Sequence, residues 1–146
     1  MPKALNISCV DACNFKELPE NTIMISINQE DEPNAPLLVD RKDPRVLTLR
    51  FLDITGKVNK NGQMYEPMSR SVAHEIFQFI DAHSGKDVII HCAAGIARSG
   101  SVALFLHLCL GYELKPNFWF TSNPNPFVLG RLISEFHLRK HHQSQP

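Results

Sequence analysis

The segment covering residues 87–110 constrains the fold of this chain more than any other. It opens with the apolar run VII at positions 88–90, which is typical of a central strand covered on both faces. A turn of mostly small residues, HCAAGIARSG at positions 91–100, then leads into SVALFLHLCL. That run is apolar nearly all round, so it predicts a buried helix that continues to Gly111. A strand that feeds a helix through a short turn indicates an α/β protein.

Further patterns along the chain support an α/β fold class. Three more apolar runs, ALNIS, TIMISI and VLTLRFL, are strand candidates. Apolar residues recur at three- and four-residue steps from about Ser69 to His83, which predicts an amphipathic helix that ends near Gly85. NPFVLGRLISEF predicts another helix, with Asn125 as its N-cap and Pro126 in its first turn. We therefore expect a small central, mostly parallel sheet flanked by helices.

The domain organisation predicted from the sequence is simple. The 146 residues are enough for one hydrophobic core, and no repeat or linker divides them. We expect a single domain over residues 1–139 and a flexible tail over residues 140–146. ITGKVNKNGQMYEPM, at positions 54–68, is predicted to be a long polar loop.

Charge and cysteine content argue against several classes of function. Fifteen basic and fifteen acidic side chains cancel, so no global field attracts nucleic acid or an anionic membrane. No apolar run is long enough to span a bilayer, and the N-terminus lacks the apolar core of a signal peptide. The four cysteines form no CxxC pair and no zinc-type spacing. These features predict a reduced, cytoplasmic protein with no metal and no cofactor, and we expect a monomer.

The turn HCAAGIARSG has the composition of an anion site. Between a strand and a helix N-terminus, successive backbone N–H groups point into one concavity, and the helix dipole adds positive charge. The residues predicted to form this phosphate-binding loop are Ala93, Ala94, Gly95, Ile96, Ala97 and Arg98. The planar fork of Arg98 can grip two oxygens of one anion. Cys92 lies at the mouth of the site, where a cation and a helix N-terminus favour the nucleophilic thiolate, and Ser99 can donate a hydrogen bond to the sulfur.

HCAAGIARSG matches the signature of the protein tyrosine phosphatase superfamily, which is His-Cys, five residues, Arg, Ser or Thr, and Gly. The chain resembles the compact dual-specificity members of that superfamily from about Thr22 to Phe136, including the segment NPNPFVLGRL. The resemblance implies a strand–phosphate loop–helix active site and a cysteinyl-phosphate intermediate. It makes Cys92 the nucleophile and Arg98 the phosphate clamp. Ser99 would assist the thiolate, and His91 would orient the loop rather than act as a base.

The resemblance also implies a general acid on a loop that follows an upstream strand. Asp53, directly after VLTLRFL, is the best match. It lies 39 positions before Cys92, which is more than we expect of a compact member, and the polar stretch at 54–68 accounts for the extra length. Glu66 on that stretch is the second candidate. The Trp-Pro-Asp sequence of the family is absent, since Trp119 follows the motif.

Several alternatives remain open at this point. Taken alone, Cys92 would be an inert core cysteine, but Arg98 and the following Ser-Gly argue against that. Cys9 and Cys13 are predicted to be packing residues, with a role as a partner thiol for Cys92 left open. The expected substrate is a phosphoprotein, because the loop interior AAGIA lacks the extra cations that suit a phosphoinositide or polyphosphate. Phosphotyrosine versus phosphoserine or phosphothreonine is undecided.

Two functions from other classes also remain. One is a catalytically silent phosphate-binding module, in which no acid completes turnover. The other is a sulfurtransferase or arsenate-type reductase, which also places a cysteine in an anion-binding loop. Neither of these requires Asp53 as an acid.

Overall fold

The computed structural model describes residues 1–93, 97–115 and 124–144 and shows an α/β fold. The strands are β1 (Lys3–Ile7), β2 (Thr22–Asn28), β3 (Val46–Arg50), β4 (Val58–Lys60), β5 (Gln63–Tyr65), β6 (Asp87–His91) and β7 (Glu113–Lys115). Five of them form one sheet in the order β3-β2-β6-β1-β7, and all four pairings in it are parallel. The prediction of a central, mostly parallel sheet flanked by helices is confirmed.

Helices lie on both faces of this sheet. They are α1 (Cys9–Cys13), α2 (Arg70–Ala82), α3 (Ala97–Leu110) and α4 (Pro126–Ser144). Apolar side chains alternate between the faces along the buried strands β2 and β6, as the pleat requires. Ile25 and Ile90 join a core cluster with residues of α2, α3 and α4. Met24 and Ile89 join a second cluster with α1 and with Leu18 of the loop that follows it.

The helix boundaries follow the local chemistry of the chain. Ser69 caps α2 by accepting a hydrogen bond from the backbone N–H of Val72. The side chain of Asn125 caps α4 by accepting hydrogen bonds from two backbone N–H groups of its first turn. α4 runs to Ser144, and so through most of the segment at 140–146 that was expected to be a tail. Just before that segment, Arg139 pairs with Asp81 of α2. Within the described ranges, no helix is long and apolar enough to cross a membrane.

The stretch at 54–68, predicted to be one long loop, contains a β-hairpin. β4 and β5 pair antiparallel with Lys60 opposite Gln63. Asn61 and Gly62 form the two-residue turn with φ values of 53° and 84°. Positive φ at both positions fits the type I′ turn that Asn-Gly favours, because its twist matches that of the paired strands. The loop prediction was therefore wrong for these residues, and the Asn-Gly pair was the available signal.

Candidate functional site

The candidate site lies at the carboxyl end of β6, the middle strand of the sheet. β1 and β2 flank β6 on opposite sides, with Ile7 and Ser26 both in register with His91. In open parallel sheets the crevice at such a topological switch point is where ligands bind. Cys92 directly follows this edge, and α3 begins at Ala97. Ala94, Gly95 and Ile96 of the predicted phosphate loop lie outside the described residues.

Cys92 and Ser99 are brought together at the base of the site. Cys92 is 2% exposed, and its Sγ lies 3.2 Å from the Oγ of Ser99, which is fully buried in the first turn of α3. A serine hydroxyl can donate a hydrogen bond to a thiolate at this distance, which stabilises the charged form of the sulfur. The structure therefore brings the side chains of Cys92 and Ser99 into contact.

Arg98 is buried beside the same site and is only partly satisfied. It is 3% exposed, and its Nη1 donates a 2.7 Å hydrogen bond to the backbone oxygen of Phe51 at the end of β3. Its Nε is buried without a hydrogen-bond partner among the described residues. A buried cationic N–H without a partner is costly, and a bound oxyanion would supply the missing acceptor. The Phe51 contact thus fixes the guanidinium and leaves Nε able to bind an anion.

His91 is buried, with both ring nitrogens engaged away from the thiol. Its Nε2 lies 2.6 Å from the Oγ of Ser26, and its Nδ1 lies 3.4 Å from the backbone oxygen of Cys92. Burial lowers the pKa of His91, and the positive charges of Arg41 and Arg98 lower it further against the opposing effect of the Cys92 carbonyl. A neutral imidazole held by these two contacts suits a residue that orients the backbone of Cys92.

Asp53 is exposed and is held by a residue on the opposite side of the cleft. Its Oδ1 accepts a 2.7 Å hydrogen bond from Nδ2 of Asn125, which also donates to the backbone oxygen of Ile54 at 3.1 Å. Asn125 is 4% exposed, and its backbone N–H donates to the backbone oxygen of Ala97, the first residue of α3. Asn125 therefore connects the Asp53 loop to the helix that carries Arg98. The sequence indicated Asn125 only as a helix cap, and nothing in a linear pattern reveals its contact with Asp53.

A cleft of about 680 Å³ opens beside Asp53 and the start of α3. Its lining includes Asp53, Thr55 and Lys57 on one side and Ala97 and Asn125 on the other. Cys92 and Arg98 are not among its lining residues, and Ala97 is the lining residue nearest to Arg98 in sequence. Lys57 supplies a cation at its rim.

Glu66, the second acid candidate, lines a different cleft of about 430 Å³ together with Phe51 and Tyr65. Its carboxylate pairs with Lys57 at 3.5 Å, and both side chains are largely exposed. Asp53 and Glu66 are therefore not interchangeable in position. Only Asp53 shares a cleft with the start of α3.

Two more thiols lie near this edge of the sheet. Cys9 and Cys13 of α1 have their sulfur atoms 4.0 Å apart. Burial raises the pKa of Cys9, and the charges of Cys13 and Cys92 raise it further. Cys109 lies near the end of α3, where burial raises its pKa as well.

Within the ranges that the structure describes, no group of three or more His, Cys, Asp or Glu side chains is arranged to hold a metal ion. Among the predicted site residues that the structure describes, Cys92 contacts Ser99 and His91, whereas Asp53 contacts Asn125. No protein-family model matches the chain, and no curated protein sequence matches it.

Proposed function

We propose that this chain is a cysteine-dependent protein phosphatase with a protein-tyrosine-phosphatase-like fold, in which the turn between β6 and α3 binds phosphate. The observation that carries the proposal is that one turn has Cys92, hydrogen-bonded to Ser99, at its start and a buried Arg98 at its end, whose Nε lacks a partner among the described residues. A nucleophile beside an unsatisfied guanidinium, at a helix N-terminus, suits attack on a bound phosphate monoester. The sequence signature around Cys92 supports the same chemistry.

In the first step the Cys92 thiolate attacks phosphorus, and the bond between phosphorus and the leaving oxygen breaks. Arg98 balances the charge on the non-bridging phosphate oxygens. Asp53, in its protonated form, gives its proton to the leaving oxygen, so the product departs as a neutral alcohol or phenol. The enzyme is left with a phosphorus–sulfur bond at Cys92 and an ionised Asp53.

In the second step water attacks the phosphocysteine. Asp53 now takes a proton from that water, the phosphorus–sulfur bond breaks, and inorganic phosphate forms. The electron pair of the broken bond returns to sulfur as a thiolate, which the hydroxyl of Ser99 stabilises from 3.2 Å. Each group ends the cycle in its starting protonation state, since Asp53 gives one proton and regains one.

The proposed substrate is a phosphoprotein that binds across the cleft of about 680 Å³ beside Asp53. Among the described residues that line it, Lys57 is the only charged one besides Asp53, so they offer little to a polyanion such as a polyphosphate. In this proposal a phosphorylated side chain carries one dianion past Ala97 at the start of α3 toward Arg98, and its flanking residues stay at the surface.

Hydrolysis of p-nitrophenyl phosphate in the presence of a chelator tests the proposal. Wild-type protein should turn over and be inhibited by vanadate, whereas Cys92→Ser and Arg98→Lys should each be inactive or nearly so. Cys109→Ser, which removes a thiol at the far end of α3, is the matched control and should retain wild-type activity. Acid quenching during turnover of a phosphopeptide should trap phosphate on the peptide that contains Cys92.

The outcomes separate the competing functions. Activity that persists in Cys92→Ser, or that requires an added metal ion, overturns the proposed mechanism. Vanadate binding without any turnover indicates a silent phosphate-binding module. Turnover of thiosulfate or arsenate, without hydrolysis of aryl phosphates, indicates the sulfur- or arsenic-handling alternative.

A further inference from the structure

A row of polar side chains crosses three neighbouring strands beneath the candidate site. Thr48 of β3, Ser26 of β2 and His91 of β6 are in register with one another. Ser26 is fully buried between its two neighbours. Arg41, in the loop before β3, lies over this row and donates from Nη1 to Thr48 Oγ1 at 2.9 Å and to Ser26 Oγ at 3.1 Å.

Among the residues that the structure describes, the hydroxyl of Ser26 has three hydrogen-bonding neighbours, and two of them can only donate. Arg41 carries no acceptor atom, so its Nη1 must donate to Ser26 Oγ. Asn28 approaches with Nδ2 at 3.1 Å, and that orientation is fixed because its Oδ1 accepts from the backbone N–H of Ala35 at 2.9 Å. The single proton of the Ser26 hydroxyl is therefore left for His91 Nε2, at 2.6 Å.

This assignment determines which ring nitrogen of His91 carries the proton. A nitrogen that accepts a hydrogen bond from Ser26 has no proton of its own, so in the neutral ring the proton lies on Nδ1. Nδ1 faces the backbone oxygen of Cys92 at 3.4 Å and donates to it. In the opposite tautomer, the lone pair of Nδ1 would face a lone pair of the Cys92 carbonyl oxygen.

We infer that Ser26 and Arg41 are positioning residues that hold His91 as its neutral Nδ1–H tautomer, so that the ring donates to the carbonyl of Cys92. Arg41 acts through Ser26, because it occupies an acceptor position of the hydroxyl and is itself anchored by Nη2 to the backbone oxygen of Ala35 at 2.6 Å. The tautomer stands on hydrogen-bond geometry alone. Its consequence for catalysis rests on the proposed function.

The consequence is an oriented Cys92. A donor on the Cys92 carbonyl holds the peptide plane that opens the phosphate loop, and with it the direction of the Cα–Cβ bond that carries the sulfur. The charged and titratable groups around His91 are Arg41 before β3, Arg98 on α3, and Cys92 itself, with Cys9 and Cys13 of α1 close to Arg41. Burial and then the charges of both guanidinium groups oppose protonation of the ring and lower its pKa, so the neutral form is maintained at neutral pH.

The tautomer can be read directly by ¹⁵N NMR of the imidazole rings in protein labelled at histidine. The two ring nitrogens of a fixed neutral tautomer give widely separated shifts, and the signals of His91 are identified by their loss in His91→Gln. In wild-type protein at pH 7 we expect a protonated Nδ1 and an unprotonated Nε2. An Nε2–H tautomer or an imidazolium in the wild type overturns the inference, without any variant being needed.

Variants then test the two positioning residues. In Ser26→Ala the signals should move toward a mixture of tautomers, and the apparent pKa of the Cys92 thiol should rise by about one unit, the size of a typical protein-induced shift. Arg41→Met should change the His91 signals and the thiol pKa in the same directions by smaller amounts. In Arg41→Lys both should lie closer to their wild-type values. Arg45→Met is the matched control, because Arg45 lies in the same loop but pairs with Asp43. It should change neither the His91 signals nor the pKa of the Cys92 thiol. An unchanged His91 spectrum in folded Ser26→Ala overturns the role of Ser26.

The apparent pKa of the Cys92 thiol is measured from the rate of its alkylation by iodoacetamide across pH, with mass spectrometry of the peptide that contains Cys92. This measurement does not depend on turnover. The two proposals therefore fail separately. A correct tautomer in a protein that hydrolyses no phosphate ester sinks the proposed function alone. A wrong tautomer in an active phosphatase sinks this inference alone.

Discussion

Replacing Asn125 by serine is expected to slow phosphate transfer from poor leaving groups while leaving the fold nearly intact. The side chain of Asn125 makes contacts with two separate parts of the chain. Its Oδ1 accepts from the backbone N–H groups of Phe127 and Val128 at the start of α4, and its Nδ2 donates to Asp53 at 2.7 Å and to the backbone oxygen of Ile54 at 3.1 Å. Serine caps a helix about as well as asparagine does, but it is too short to reach Asp53. Asn125→Ser therefore removes the contact with the proposed acid and keeps the cap.

The size of the effect follows from that contact. A hydrogen bond to a charged group contributes about 1.5–3 kcal/mol. Asp53 is exposed, so water competes for its carboxylate, and we expect about 1 kcal/mol. At about 1.4 kcal/mol per tenfold change in rate, kcat should fall about fivefold. Removing the acid itself with Asp53→Asn should cost far more, about 10²–10⁴-fold.

The assay is kcat for a series of aryl phosphates that differ in the pKa of the leaving phenol. A general acid matters most for phenyl phosphate and least for dinitrophenyl phosphate, whose leaving group departs without a proton. The loss in Asn125→Ser should therefore grow with leaving-group pKa. Asn125→Ala should show the same kinetic loss and, in denaturant unfolding, a further loss of about 1 kcal/mol from the missing cap. Equal losses across the series, or none with phenyl phosphate, would refute the positioning role.

Three further expectations concern charge, the hairpin and pH. Lys57→Glu should raise KM several-fold for a phosphopeptide with acidic flanking residues and leave KM for p-nitrophenyl phosphate unchanged, because Lys57 lies at the rim of the cleft. Gly62→Ala, at a φ of 84°, should cost about 1–2 kcal/mol of local strain, which hydrogen exchange should show as roughly tenfold faster exchange over residues 58–65. Burial alone would raise the pKa of Glu135, but hydrogen bonds from Arg70 and His74 outweigh it and hold that pKa below its usual value. A lowered folded-state pKa stabilises the protein above the unfolded pKa, so the stability advantage of wild type over Glu135→Gln in urea unfolding should shrink as the pH falls below about 4.

Periodicity in the sequence was sufficient to predict the larger elements. The all-apolar run at 88–90 required a strand covered on both faces, and the sheet places it in the middle. The smaller elements were missed because their patterns are too short to show a period. β7 has three residues, and its position beside β1 depends on pairing across the whole chain. The extension of α4 was missed because a polar sequence such as RKHHQS fits a tail as well as it fits the last turns of a helix.

The residues of the candidate site also divide into those that are close in sequence and those that are distant. Cys92, Arg98 and Ser99 could be predicted because they lie within seven positions of one another, and a strand–turn–helix unit brings such residues together by local geometry. The supporting residues come from strands and loops that are distant in sequence. Ser26 meets His91 only because β2 pairs with β6 in one particular register, and a slip of one residue would turn its hydroxyl to the other face of the sheet.

Parallel pairing therefore does more in this protein than build a core. It aligns Thr48, Ser26 and His91 in one row, where a single guanidinium from the loop before β3 can contact two of the three side chains. Each of these polar residues interrupts or ends an apolar strand, and burying it there costs free energy unless its hydrogen bonds are made. In the structure Ser26 and His91 satisfy one another, and the remaining ring nitrogen of His91 faces the carbonyl of the proposed nucleophile. The cost of burying these groups is thus offset within a network whose last contact orients Cys92.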